Sequence, residues 1–475
     1  MQITKTLIAA AGNAGGASGA LYDFTNTSGT TTLFNTRTVR IARFTDDIVF
    51  HIDRINSDYS PSRNPCFGKI DQDGNLSFFR EFTTSNNTVD GWSCEANCFN
   101  LDAQNNIHGL VKNNSGFNVA SLKLNGSNGT DMLGFISTSN YNRNAIYGVT
   151  ASIPDNQISL CWKQGSTPNS VINIYGAAGN VSYNAFSNRS WVQSSLNGQI
   201  PNGCAVIPSW TYWNFSTIYS TKYAVFTLWS NAASGAPTAR GISTIADSTY
   251  TTQTIFPRIT IQDPTDVNDV FVACFSYDDS SGGNCQNLCL IRFDAFYSAS
   301  DLFRVYGRFA ATGQNNNIQV DGAVADTVTG DNYMYVSGYF YDTVKALNVS
   351  YVICFDGATG DIVNQVKISA TGNTQSVFTQ GPCSIDSEGN VYTCISGQTA
   401  RSSTSSIIKL PPALAISDTT AGIYDIEEMN EFALQGTNSI TLYNFSATAS
   451  GFGFGDQGGS NTLTSKSVSV TSTTI

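Results

Sequence analysis

The chain has 475 residues and a formal net charge of -11, with an isoelectric point near 4.6. That charge argues against sequence-independent nucleic-acid binding, which needs a Lys/Arg-rich surface to displace counterions. Only 12% of residues are charged against 41% hydrophobic and 12% aromatic, so the core is well supplied and the surface must be built from Ser, Thr, Asn, Gln and Gly. No stretch approaches the ~18 uninterrupted apolar residues of a bilayer span, and no membrane insertion is expected.

Residues 1–36 are rich in Gly, Ala, Ser and Thr and lose periodicity after Ala9, which reads as an N-terminal arm. The apolar run Leu7 to Ala11 is shorter than a signal-peptide h-region, so no secretory leader is expected. His51, inside Ile48-Val-Phe-His-Ile52, reads as a structural histidine on a strand. The first clear hairpin follows at Phe67-Gly-Lys-Ile-Asp-Gln-Asp-Gly-Asn-Leu-Ser-Phe-Phe-Arg-Glu-Phe82, two alternating runs around a Gly-containing turn. Weaker copies begin near Val119, Ser170, Tyr223, Asn287 and Ser405. Another clear copy is Tyr351-Val-Ile-Cys-Phe-Asp-Gly-Ala-Thr-Gly-Asp-Ile-Val-Asn-Gln-Val-Lys-Ile368. Before it, Gln319–Val324 and Tyr333–Phe340 form a strand pair. After it, Cys383–Gly397 gives strand, turn and strand, and Ser406–Leu410 begins a third strand.

The seven recurrences start near residues 65, 119, 170, 223, 287, 350 and 405. A repeat of roughly this length with four strands per unit marks a β-propeller. The expected fold is all-β, a seven-bladed β-propeller over 37–430. A short helix is expected around Ile426–Phe432. From Glu431 the pattern changes to polar β-prone segments and the Gly-rich Ser450–Gly459, so 431–475 reads as a C-terminal β-strand arm. Such a free edge is a liability unless paired, so the arm either closes the propeller or adds to another subunit. The second role is favoured because a single strand suffices to close a ring.

Candidate chemistry is sparse. The chain has two histidines, His51 and His108, and no nucleophile elbow, phosphate loop or dinucleotide fingerprint in a suitable setting. No catalytic residue, cofactor or metal is expected. Asp71-Gln-Asp-Gly-Asn75 and Asp386-Ser-Glu-Gly-Asn390 open like calcium loops but lack the distal Glu. They read as hairpin turns. The eleven cysteines are read as reduced and largely buried. Cys94/Cys98 and Cys285/Cys289 are spaced to bridge a turn, without the C-x2-C spacing and nearby His that point to zinc. Trp210, Tyr212, Trp213 and Phe215 form an aromatic cluster able to stack on sugars if displayed on a loop. The alternative is a strand packed between blades.

Three turns carry a family likeness. Phe67–Leu76 is similar to the K-L-D-x-x-G-N strand pair of bacterial propellers. Phe355-Asp-Gly-Ala-Thr-Gly-Asp-Ile362 resembles the D-x-x-T-G turn of quinoprotein-like blades, and Ser384–Tyr392 resembles a D-x-x-G-N-x-Y turn. The blade-docking Trp of quinoproteins and the sialidase box are absent. In its low charge, polar strands and Gly-Phe-Gly-Phe-Gly segment with a Thr/Ser/Val tail, the chain resembles virion structural proteins of marine, cyanobacteria-infecting tailed phages. That resemblance implies a tail, baseplate or fibre-associated component held by its terminal arms among other virion proteins, in several copies, and assembled in the host cytoplasm. The alternatives are a glycan-binding host-attachment protein using the Trp210–Phe215 cluster, or a polysaccharide-cleaving enzyme with carboxylates at a central channel.

Overall fold

The structure is a computed structural model that describes residues 2–8, 19–25, 33–55, 63–84, 92–94, 97–113, 119–137, 146–152, 157–164, 169–176, 189–191, 203–207, 212–219, 223–230, 239–247, 254–266, 269–278, 284–294, 304–311, 318–398, 405–434, 440–444, 449–451 and 461–465. Side chains are described chiefly in 38–53, 65–82, 97–112, 120–130, 318–397 and 406–433. These residues form a mostly-β fold of seven antiparallel sheets, numbered I to VII by the chain position of the three consecutive strands at the heart of each. Their third strands are Arg63–Ile70, Val119–Leu124, Asn169–Gly176, Tyr223–Ser230, Asn284–Asp294, Leu347–Asp356 and Ser405–Leu410. Each of the seven recurrences falls on one of them.

The first strands are neighbours in series. Leu33–Ile41 of sheet I approaches Phe99–Leu101 of II, which approaches Ile146–Ser152 of III. The series continues through Gly203–Ile207, Thr254–Gln262 and Gln319–Ala325 to Ser376–Ile385 of VII, and that strand packs back on Leu33–Ile41.

Why these segments are strands is clearest in Leu347–Asp356. Its run Val349–Phe355 is buried throughout, because successive side chains face opposite seams. Val349, Tyr351, Ile353 and Phe355 join a core with Leu288 and Leu290 of sheet V. Val352 and Cys354 join a core with Val377, Val391 and Ile408 of sheet VII. Sheet I divides its second strand in the same way: Ile48, Phe50 and Ile52 pack toward Tyr392 and Ile407 of VII, while Val49 packs toward Phe99 and Val111 of II. The core therefore lies between sheets. A Cβ at Gly68 would collide with the Phe50 ring, so the glycine gives that ring its room.

The turns are built by their own carboxylates. Asp71 Oδ1 accepts the backbone N–H of Asp73 (2.9 Å) and Asn75 (2.8 Å), with Gly74 at φ 85. Asp386 Oδ1 accepts those of Glu388 (3.0 Å) and Asn390 (2.9 Å). The hairpin reading of both segments fits this geometry. Asp102 makes the same turn through Gln104 and Asn106, although its sequence lacks the glycine.

The two ends of the chain depart from their expected form. Sheet VII has only three strands of its own; Gly19–Thr25 is its fourth and Gln2–Ile8 its fifth. Beyond Leu410 the chain runs back past the preceding sheets. Tyr424–Glu428, paired with Thr419–Ala421, adds to sheet VI, Phe432–Leu434 to V, Ile440–Asn444 to IV, Ala449–Gly451 to III and Asn461–Ser465 to I. The described strands of both ends find their pairing partners within the same chain. Residues 466–475 lie outside the described residues. The helix expected around Ile426–Phe432 is also corrected. Ile426 sits on a strand opposite Ile368 and Thr419, and its ladder bonds to sheet VI displace the helix.

Candidate functional site: a buried histidine–cysteine cluster

His51 and Asp53 lie two apart on Ile48–Ile55 and so share the face turned to sheet II. Opposite them, Trp92–Ser93 pairs with Asn113 and Lys112, and Phe99–Leu101 pairs with Gly109 to Ile107. Cys94 and Cys98 adjoin these two short strands. Asn97 holds φ 62, its carbonyl accepts Val149 N–H (2.9 Å), and Leu110 N–H donates to Cys98 O (2.8 Å).

The result is a cluster in which a ring nitrogen of His51 and the sulfurs of Cys94 and Cys98 all lie within 4.8 Å of one another. All three residues are fully buried. His51 Nε2 meets Asp53 Oδ1 at 3.0 Å with both side chains 0% exposed, while Nδ1 is buried without a hydrogen-bond partner. Cys94 donates its N–H to Asp53 Oδ1 (3.3 Å) and its thiol to Leu110 O (3.5 Å). Thr38 Oγ1 lies 3.8 Å from Cys98 Sγ. Burial pushes the Cys98 thiol up, yet its hydrogen bond with Cys94 and the His51 imidazole together hold it well below the ordinary thiol range. Burial opposes the charged form of His51 as well; Cys98 and Asp53 outweigh it and raise the imidazole. Cys98 is thus disposed to be a thiolate.

The zinc argument from spacing required a histidine close in sequence. The fold supplies one from another sheet, where Asp53 beside it stands 41 positions before Cys94. Cys94 and Cys98 are not joined by a disulfide. Cys66, Cys354, Cys383 and Cys394 are likewise buried and outside any disulfide. The pair Cys285/Cys289 shares one strand, Asn284–Asp294, and its side chains lie outside the described residues.

The second histidine belongs to sheet II. His108 Nε2 contacts Asp102 Oδ2 (3.0 Å), with Lys123 Nζ 3.9 Å from the same oxygen. The arrangement recurs in sheet VII, where Tyr392 donates to Asp386 Oδ2 (2.9 Å) and Lys409 Nζ lies 3.2 Å from it. In both sheets the Lys stands directly across from the aromatic residue, Lys123 opposite His108 and Lys409 opposite Tyr392. This recurrence marks His108 as part of a repeated turn clamp.

Of the aromatic cluster, Tyr212, Trp213 and Phe215 lie on the second strand of sheet IV, Tyr212–Tyr219. Trp213 stands between Val206 and Trp229. These three stand at ladder positions of an alternating, β-prone run. Trp210 and the cluster's side chains lie outside the described residues.

No family model and no curated protein matches the chain. Among solved structures it is similar to the Myceliophteria thermophila Cps50 (Swd1) β-propeller domain, at 10% identity and TM-score 0.44, over 80% of this chain and 98% of that one. It is similar to the Dos1 propeller at 9% identity and TM-score 0.45, over 81% and 94% respectively. It also resembles the phage phi92 endosialidase at 10% identity and TM-score 0.43, over 84% and 70%.

Proposed function

We propose that the chain is a seven-bladed β-propeller serving as a non-enzymatic structural component of a tailed-phage particle. Seven sheets neighbouring in series support the blade count. The observation that carries the structural role is the outer rim, where one C-terminal segment lends a strand to five of the seven sheets. A chain that ties its own perimeter together is suited to a permanent rigid part. The added strands are only three to five residues long, and short edges discourage unwanted sheet pairing.

A catalytic reading finds little support among the described residues. The cluster with catalytic residue types, His51, Asp53, Cys94 and Cys98, is sealed between sheets. Because the arms are engaged in their own sheets, attachment to other virion proteins falls to the low-charge outer surface. The composition and the tail resemblance favour the virion.

The test is to purify the particles encoded with this gene by density gradient and quantify the chain by mass spectrometry. A fixed copy number per particle, matching other tail proteins, is expected. Recovery only in the soluble lysate overturns the virion assignment.

A further inference from the structure

Four other buried cysteines described in the seams sit within apolar clusters, Cys383 also donating its thiol to Ser337 Oγ (3.0 Å). Cys66 and Cys394 pack among Phe50, Ile52 and Ile407, and Cys354 and Cys383 among Val352, Val377 and Ile395. Cys94 and Cys98 differ, because their sulfurs converge on an imidazole and a carboxylate backs that imidazole.

We propose that His51 Nδ1, Cys94 Sγ and Cys98 Sγ bind a zinc ion that staples sheet I to sheet II. Three observations converge on it. First, the donor set is the one that selects zinc, two soft thiolates and a borderline imidazole. Metal–sulfur bonds of about 2.3 Å in a tetrahedral site place the sulfurs about 3.8 Å apart. Donors within 4.8 Å of one another reach that spacing with sub-ångström movements of side chains. Second, His51 carries the partner that a ligating histidine has. Nε2 is held by Asp53 at 3.0 Å, which leaves Nδ1 as the lone-pair donor, and Nδ1 is buried with no hydrogen bond. A carboxylate behind the far nitrogen fixes tautomer and ring orientation and raises ligand basicity. Third, both sulfurs adjoin the short strands Trp92–Ser93 and Phe99–Leu101, which pair with one strand, and Asn97 takes a left-handed conformation next to Cys98.

The location gives the ion a purpose. Among the described residues, sheet II is the one sheet that receives no strand from either terminus. Its seam with sheet I is where a cross-link adds what the rim strand adds elsewhere. Two thiolates offset the charge of the ion in a desolvated site. The ion binds the folded chain, so its affinity adds directly to stability. The fourth coordination position is left to a solvent molecule or a further group, as in other three-ligand sites.

The test uses the full chain, expressed without a polyhistidine tag and kept reduced. Elemental analysis should give one zinc per chain, and a thiol-reactive mercurial should release it. Cys94→Ser and Cys98→Ser should each lose the zinc, whereas Cys66→Ser should retain it. Should the variants fail to fold, the wild-type chain is stripped with a chelator and reloaded with Co(II). A thiolate-to-cobalt charge-transfer band at one equivalent, with a raised melting temperature, supports the site. Absence of both zinc and that band in the folded, reduced chain overturns the proposal, as does a Cys94–Cys98 disulfide found by mass under those conditions.

Discussion

The side chain of Gln365 completes the backbone ladder for Phe432: its Nε2 donates to Phe432 O at 2.9 Å, and Phe432 N–H donates to its Oε1 at 3.0 Å. Gln365 stands on the fourth strand of sheet VI, while Phe432 opens the strand that the C-terminal segment adds to sheet V. An amide side chain presents the same donor and acceptor as a peptide group, so it substitutes for a missing rung where the segment passes from one sheet to the next. Gln365→Ala leaves both backbone groups of a 2%-exposed residue without these partners. A loss of about 1–3 kcal/mol is expected, read as a lowered denaturant midpoint at unchanged slope. An unchanged midpoint would show that the crossing contributes nothing.

The same passage is clamped by charge. Lys367 Nζ meets Glu431 at 3.0 Å and Glu427 at 3.4 Å, and Lys345 Nζ meets Glu427 at 3.2 Å. Burial pulls the Lys367 ammonium down, but Glu431 and Glu427 outweigh it and raise it above its ordinary value. The side chains keep 14–33% exposure, so solvent screening limits the gain. Lys367→Met should cost about 1 kcal/mol at low salt, and the difference from wild type should shrink in concentrated salt. A salt-independent loss would assign the effect to packing.

His108 provides a pH signature. Burial pushes its imidazole below the ordinary value, and Lys123 acts in the same direction against the hydrogen bond and charge of Asp102. Asp102 is itself held below its ordinary range, since hydrogen bonds from His108 and Asn106 outweigh its burial. With a depressed folded-state pKa, His108 stays neutral while the unfolded chain takes up a proton below about pH 6.5. Stability is therefore lost as pH falls through that region, with a slope of at most about 1.4 kcal/mol per pH unit. His108→Gln should flatten the fall between pH 6.5 and 5, and comparison with wild type cancels what other groups contribute. Identical slopes would contradict the assignment.

Sheet VII depends on the N-terminus. Gly19–Thr25 covers Ser405–Leu410, burying Leu21, Tyr22 and Phe24. Tyr22 donates to Gln72 O (2.9 Å) in sheet I, Lys409 of sheet VII donates to Gln72 Oε1 (3.1 Å), and the Tyr392 hydroxyl lies 2.8 Å from that same oxygen. Deleting residues 1–25 removes that cover and opens an apolar strand edge. The deleted chain is expected to aggregate, or to melt at least 10 °C lower if it stays soluble. Wild-type melting would mean the arm is an accessory.

Much of the blade pattern was legible because strands buried on both faces write continuous apolar runs, as in Val349–Phe355, and because Asp71 and Asp386 announce their turns. The terminal additions were not. Thr419–Ala421 and Ala449–Gly451 are too short to display alternation, and the strand Tyr424–Glu428 lay partly within the segment expected to be a short helix. Nor was the histidine–cysteine cluster visible, since its members come from two sheets. The Asp102 turn escaped notice because Asn105, at φ 63, takes the place held by glycine in the other turns.

The proposed closure of seven blades into a ring within one chain is tested most directly by an experimental crystal structure. It should show seven sheets around one axis, with Gly19–Thr25 paired to Ser405–Leu410 of the same chain and Asn461–Ser465 paired to Leu76–Thr84. An open arc, a different number of sheets, or either strand paired to a second copy would contradict it.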